Sequence, residues 1–283
     1  MEIKFKDVDF SYNGNTSIEN KVLNNININF ESGKIYGIIG KSGSGKSSLI
    51  ELINGILIPT AGKISVGKFK IEPKSKQKNM KQLRSNVGIV FQYPEEQFFC
   101  HTVKEEIEFG MRNFGIKTNV ISKQTIDALK IVDLTEDYLE RDPLTLSHGE
   151  MRKIAFASIL AYNPKIIVLD EPTVGLDDLG KKNLIKIIRK LKLRYDKTII
   201  IVSHDTNFLL QIVDHVYLLE DGTIGLSGDK YTVLSNEERL KKNNILVPDI
   251  LAFSNLVMKK KNIKLGYRDD INDLIKDIYR HVK

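Results

Sequence analysis

The chain has 283 residues, a net charge of +7 and 41% hydrophobic content, enough for one large domain or a domain with an appendage. No apolar run approaches the ~18 residues that cross a bilayer, and Met1-Glu2-Ile3-Lys4-Phe5-Lys6 lacks the apolar core of a signal peptide. A single cysteine, Cys100, excludes an internal disulfide and fits a reducing cytosol; it reads as a small buried hydrophobe rather than a reactive thiol. Lysines crowd residues 63–84 and 239–264. These runs lack interleaved aromatics, so they read as a solvated face near anionic lipid rather than a nucleic-acid footprint.

In chain order, residues 2–10 and 22–30 alternate as strands around turns at Asn13-Gly14-Asn15 and Glu31-Ser32-Gly33. Residues 63–66 and 87–91 add further strands, and together these four predict a mostly antiparallel sheet beside a buried strand at 35–39. From 102 to 141 the period turns helical, with Val103, Ile107 and Met111 on one face and then Ile126, Leu129 and Val132. Helix and strand then alternate: helix 150–161, strand 166–169, helix 181–194, strand 198–202, helix 207–213. That is the pattern of a parallel α/β sheet. After Gly228 the chain reads as helical and lysine-rich through to Lys283.

Between the strand at 35–39 and the helix that opens at Ser48 lies Gly40-Lys41-Ser42-Gly43-Ser44-Gly45-Lys46-Ser47, which fits G-x-x-x-x-G-K-[ST] at every fixed position. Glycines let successive N–H groups curl toward a polyphosphate, and the following helix adds its positive end. Lys46 would reach the β- and γ-phosphates, and the Ser47 hydroxyl would ligate Mg²⁺. Ile167-Val168-Leu169-Asp170-Glu171 is an apolar strand ending in two acids, at the strand end where such folds bind ligands. Asp170 would join the Mg²⁺ shell and Glu171 would act on an attacking water. Leu146-Ser147-His148-Gly149-Glu150 opens an apolar helix; it is either an anion site or an ordinary N-cap by Ser147.

With these motifs the chain resembles the ATP-binding cassette (ABC) ATPases over residues 1–228. Gln92 in Val90-Phe91-Gln92, Gly175-Leu176-Asp177 and His204 in Ile201-Val202-Ser203-His204-Asp205 complete the set in the family's order. The resemblance implies a P-loop NTPase cassette of α/β class. It would have an antiparallel β subdomain, a helical subdomain at about 98–162 and a helical extension at 229–283. It further implies ATP and Mg²⁺ as ligands. Tyr12 would stack on adenine, and Gly40 to Ser48 (Gly40, Lys41, Ser42, Gly43, Ser44, Gly45, Lys46, Ser47, Ser48) would hold the phosphates. Ser47, Gln92 and Asp170 would hold the metal. Glu171, His204 and Gln92 would be catalytic, with Ser147, Gly149 and Asp177 serving a second subunit's nucleotide. The usual signature is Leu-Ser-Gly-Gly-Gln, so His148 and Glu150 are departures.

Gln92-Tyr93-Pro94-Glu95-Glu96-Gln97-Phe98-Phe99 and Glu150-Met151-Arg152-Lys153 resemble the energy-coupling factor (ECF) type, and within it the second ATPase subunit. That resemblance implies a transport ATPase for vitamins or other micronutrients, peripheral on the cytoplasmic face of the cell membrane. Its partners would be a second ABC ATPase in a heterodimer, a transmembrane coupling subunit and a substrate-binding membrane subunit, with no nucleic acid. Alternatives are an ATPase of the cobalt or nickel type, a soluble ABC ATPase unconnected with transport, and a regulator without turnover, against which Glu171 argues. Ile271, Leu274, Ile275 and Ile278 share helical spacing and either add a dimer interface or pack on their own domain. Glu95 and Glu96 beside Phe98 and Phe99 read as a receptor for an arginine-bearing coupling helix, or as a solvated acidic turn.

Overall fold

The computed structural model describes residues 1–13, 20–76 and 80–281. Gly14 and Asn15 of the expected first turn, part of the first lysine run, and Val282 and Lys283 lie outside the described residues.

Two sheets organise the molecule. The first is antiparallel, in the order β2-β1-β4-β5, built from β1 (Ile3–Tyr12), β2 (Asn20–Phe30), β4 (Ala61–Val66) and β5 (Phe69–Ile71). Where β1 and β4 shift register, Gly62 sits at φ +76°, and a Cβ there would lie 2.1 Å from the Asp7 carbonyl oxygen, so only glycine fits. The second sheet has the order β10-β9-β3-β8-β7-β6. Its strands β3 (Ile35–Ile39), β6 (Val87–Val90), β7 (Ile166–Asp170), β8 (Thr198–Val202) and β9 (His215–Glu220) run parallel, and β10 (Thr223–Asp229) closes one edge antiparallel to β9.

Residues 87–90 therefore do not belong to the antiparallel sheet expected of them. All four are buried, and they pair in parallel with β7. A strand covered on both faces reads as a continuous apolar run, whereas the antiparallel strands β1 and β2 alternate buried and exposed positions.

The parallel strands divide two cores by simple alternation. Ile35, Ile39, Ile167, Leu169, Ile199 and Ile201 face the helical layer. That layer includes α3 (Val103–Phe114), α4 (Thr118–Ile131), α5 (His148–Ala161), α6 (Asp178–Tyr195) and α7 (Thr206–Ile212). Tyr36, Ile38, Ile166, Val168, Ile200 and Val202 face the antiparallel sheet, α1 (Lys46–Ile53) and the short α2 (Lys81–Arg84). Helices α8 (Lys230–Leu234), α9 (Glu237–Lys242), α10 (Asp249–Lys261) and α11 (Ile271–His281) follow β10. Val233, Leu234, Leu240 and Leu251 join the helical-layer core. In α11, Leu274 is buried while Ile271 and Ile275 stand exposed. No helix among the described residues is long and apolar enough to cross a membrane.

Candidate functional site

Four neighbouring parallel strands end on one side of the sheet, and each delivers chemistry there. After β3 comes the glycine-rich loop, after β6 Gln92, after β7 Glu171 and after β8 His204. This carboxyl edge opens into a cleft of about 580 Å³. Tyr12, Ser42, Gly43, Gly45, Lys46, Ser47, Ser48, Gln92, Asp170, Glu171 and His204 line it, together with Val22, Val174 and Val202.

The loop is preorganised. Lys46 is 7% exposed, and its ammonium donates to the carbonyls of Gly40 (2.8 Å) and Lys41 (2.9 Å). Burial lowers its pKa, while Glu171 and Asp170 pull it back up. A Cβ on Gly40 would meet the Leu219 carbonyl oxygen at 2.4 Å, so the loop can pass β9 only as glycine. Gly43 sits at φ +76° with open space around it. Ser44 Oγ is buried with no hydrogen-bond partner among the described residues. An open glycine and an ammonium whose hydrogen bonds go to neutral carbonyls suit an incoming polyphosphate. At the rim, the Tyr12 hydroxyl and Ser48 Oγ lie 3.1 Å apart, and the Tyr12 ring packs edge-on to Phe10.

The acids are tuned by the same burial. Asp170 is raised by desolvation and by the adjacent Glu171, with Lys46 and a hydrogen bond from Ser47 opposing. Glu171 is also raised, again chiefly by burial. It sits at φ +45°, a left-handed conformation that carries strain in a non-glycine residue. Its N–H donates to the Val202 carbonyl (2.8 Å), and one carboxylate oxygen accepts from the His204 N–H (3.2 Å). The other oxygen lies 3.3 Å from His204 Nε2. Burial and the Lys46 charge lower the His204 pKa, so the imidazole is neutral at neutral pH.

Ser147, Gly149 and Asp177 do not line this cleft. Ser147 caps α5 in a capping box: its hydroxyl and N–H donate to one Glu150 oxygen (2.6 and 2.9 Å), and the Tyr138 hydroxyl donates to the other (2.6 Å). The bonds from Ser147 and Tyr138 hold the Glu150 carboxyl down to about 2. Asp177 caps α6 by accepting from the Gly180 N–H (2.7 Å). A Cβ on Gly149 would meet nothing within 4 Å, so this corner of the molecule is open.

Glu95 is not free to receive an arginine from elsewhere. It is paired within the chain to Arg152, whereas Glu96 is exposed. Burial pushes the Cys100 thiol up to about 11, in keeping with an inert cysteine.

A profile of the ABC transporter family matches residues 23–174. The chain belongs to the ABC transporter family. Its relatives within that family include ATP-binding proteins of energy-coupling factor transporters. The energy-coupling factor transporter ATP-binding protein EcfA2 of Enterococcus faecalis is 39% identical over 260 residues, 92% of this chain and 90% of that protein. The EcfA2 protein of Latilactobacillus sakei is 37% identical over 92% of this chain and 89% of its own length. Among solved structures, cbiO1 of Clostridium perfringens, part of the ABC transporter complex cbiONQ, superposes with a TM-score of 0.74 at 31% identity, covering 89% of this chain and 98% of that one. A dimeric ATP-binding cassette in a post-hydrolysis state, bound to ADP and Pi, gives a TM-score of 0.71 at 27% identity, covering 81% of this chain and 98% of its own.

In this cassette the fold gathers the residues expected on the β-strand ends and leaves those of the signature outside. Gly40, Lys41 and Ser44 support the loop from behind instead of lining the cleft. Sequence reasoning missed the three valines. Val22 sits on β2, and nothing in its local pattern announces that the antiparallel sheet folds over the loop.

Proposed function

We propose that this chain is the ATP-hydrolysing subunit of an ECF-type importer, coupling ATP binding and hydrolysis to uptake of vitamins or other micronutrients. The observation that carries the proposal is the split just described. Lys46, Ser47, Gln92, Asp170, Glu171 and His204 share one cleft, while Ser147, Gly149 and Asp177 lie on an open corner outside it. A single chain holds the catalytic half of a site and the signature of another. Two cassettes facing each other complete both.

In this reading the loop N–H groups from Ser42 to Ser48 and Lys46 hold the phosphates, and Tyr12 stacks on adenine beside Val22. Ser47, Gln92 and Asp170 would hold Mg²⁺, which when bound offsets negative charge on the β- and γ-phosphates. Ionised Glu171 orients a water and takes up its proton as the water oxygen bonds to the γ-phosphorus and the bond to the ADP oxygen breaks. Neutral His204 donates toward the γ-phosphate. Residues 1–228 form the ATPase domain, with the helical subdomain at about 98–162, and 229–283 form an extension. The chain sits peripherally on the cytoplasmic face of the cell membrane, bound to a second ATPase, a transmembrane coupling subunit and a substrate-binding subunit.

Affinity purification of the tagged chain from its own host, followed by mass spectrometry, tests this. Recovery of a second cassette with two integral membrane proteins is the expected result. Recovery of soluble partners alone would refute the transport assignment. Cargo bound to the recovered membrane subunit separates vitamin uptake from the cobalt or nickel alternative.

A further inference from the structure

Arg152 joins three segments that lie far apart in the chain. It stands on the second turn of α5, five residues after Ser147. Its Nε and Nη2 donate to the two carboxylate oxygens of Glu95, at 3.3 and 3.0 Å. Its Nη1 donates to the Val174 carbonyl at 2.6 Å. The Arg152 and Glu95 side chains are only 10% and 9% exposed.

Each anchored segment belongs to a different part of the proposed machinery. Glu95 lies on a 3₁₀ turn, Pro94–Gln97, that follows Gln92; Pro94 is buried and Tyr93 is held at φ +53°, so the turn is rigid. Val174 lies in the loop that runs from Glu171 to Asp177, and it lines the nucleotide cleft. The arginine itself rides on the helix whose amino terminus presents Ser147 and Gly149. Only a planar guanidinium can grip a carboxylate with two N–H groups and reach a carbonyl with a third; an ammonium of similar length makes one such contact well. A buried ion pair is also weak in net stabilising effect, because desolvating both charges offsets most of their attraction. What the pair provides is geometry.

We propose that Arg152 is a positioning residue that couples a membrane partner to hydrolysis. It locks the Gln92 turn, the signature helix and the loop after Glu171 into one body. A push on the Gln92 turn from a membrane partner is then carried at once to this chain's own cleft and to the signature it offers its partner cassette. The proposal rests on the transport-ATPase reading, since it needs a partner that pushes. It also explains why Glu95 is withdrawn from the surface while Glu96 remains exposed to meet that partner.

The test uses the complex recovered by affinity purification, with ATPase measured for the two cassettes alone and for the full complex in lipid. For Arg152→Met and Glu95→Gln, the cassettes alone should keep their rate and KM within twofold, while stimulation by the membrane subunits falls at least fivefold. The Arg152→Met, Glu95→Gln double variant should be no worse than either single. Arg152→Lys, which keeps the charge and loses the fork, should also lose stimulation, and it serves where Arg152→Met fails to fold. Full stimulation in Arg152→Lys and Glu95→Gln would overturn the proposal. So would equal loss of basal and stimulated rates, the signature of a merely structural role. A wild-type complex without ATP hydrolysis would instead refute the transport-ATPase reading.

Discussion

Replacing Lys46 by alanine separates the cost to the fold from the cost to the nucleotide. In the unliganded chain the ammonium is buried and makes two charge-assisted hydrogen bonds, to Gly40 and Lys41. Losing bonds of this kind costs about 1.5–3 kcal/mol each. Burial also disfavours the charge, as the lowered pKa records, so removing it returns part of that cost. The net loss of stability should therefore stay below about 2 kcal/mol. The nucleotide loses more. A lysine about 4 Å from one phosphate charge gains roughly 4 kcal/mol at an effective dielectric constant of 20. Giving up the two loop carbonyls reduces that to about 2–3 kcal/mol, a roughly thirty- to 150-fold loss of affinity. Thermal melts with and without MgATP read both effects. With ATP at about 100 times the wild-type Kd, wild type gains about 2.7 kcal/mol, and a variant bound a hundredfold more weakly gains about 0.4 kcal/mol. A variant that melts near wild type without ATP, and barely responds to it, is the expected result. An unchanged ATP response would refute the phosphate role of Lys46.

Gly40→Ala should disrupt both fold and binding, because its Cβ would lie 2.4 Å from the Leu219 carbonyl oxygen, whereas Gly43→Ala, with open space and only its φ of +76° to strain, should fold normally and bind ATP less well; melts and nucleotide titrations of the pair check this. Glu150→Gln keeps a capping-box acceptor but removes a carboxylate held at about 2 beside the signature hydroxyl. In the proposed dimer that negative charge repels the phosphates of the nucleotide Ser147 would serve, so the ATP concentration that half-saturates the assembled complex should fall severalfold, and a rise would contradict this repulsion. Lys197 is buried among neutral oxygens of Asn163 and Pro164, and burial lowers its pKa to about 8. Between about 8 and the ordinary lysine value of 10.5 the unfolded chain binds this proton more tightly, so stability rises with pH through that window, by at most about 3 kcal/mol. Denaturant melts compared with Lys197→Met should show that rise in wild type alone.

What the chain disclosed in advance was local. The glycine-rich loop, the apolar strand ending in Asp170 and Glu171, and the helical periods each carry their signal within about a dozen residues; the loop and the strand stand where that signal puts them, while the helical stretches at 102–141 and after 228 break into separate helices joined by turns. The strand at 87–90 was legible as a strand but not in its sheet, because partner choice is a tertiary matter and only its unbroken apolar run hinted at burial on both faces. Strands β9 and β10 went unread between helix signals. The spacing Ser147-x-x-Glu150 was a visible capping-box signature, and Ser147 caps the helix as that spacing implies. The Glu95–Arg152 pair spans 57 positions, so no local pattern foretold it, and an acidic turn that looked open is half committed.

The central claim is that Glu171 drives hydrolysis in a cleft completed by a second cassette. Phosphate release by the assembled complex, measured across pH for wild type and Glu171→Gln at saturating MgATP, tests it most directly. Burial raises the Glu171 pKa, so its ionised form is lost as pH falls through a value above the usual glutamate range, and the wild-type rate should fall with it. The account predicts that Glu171→Gln binds ATP, releases almost no phosphate and lacks that acid limb. A variant that turns over within a few-fold of wild type, with the same pH profile, would contradict it.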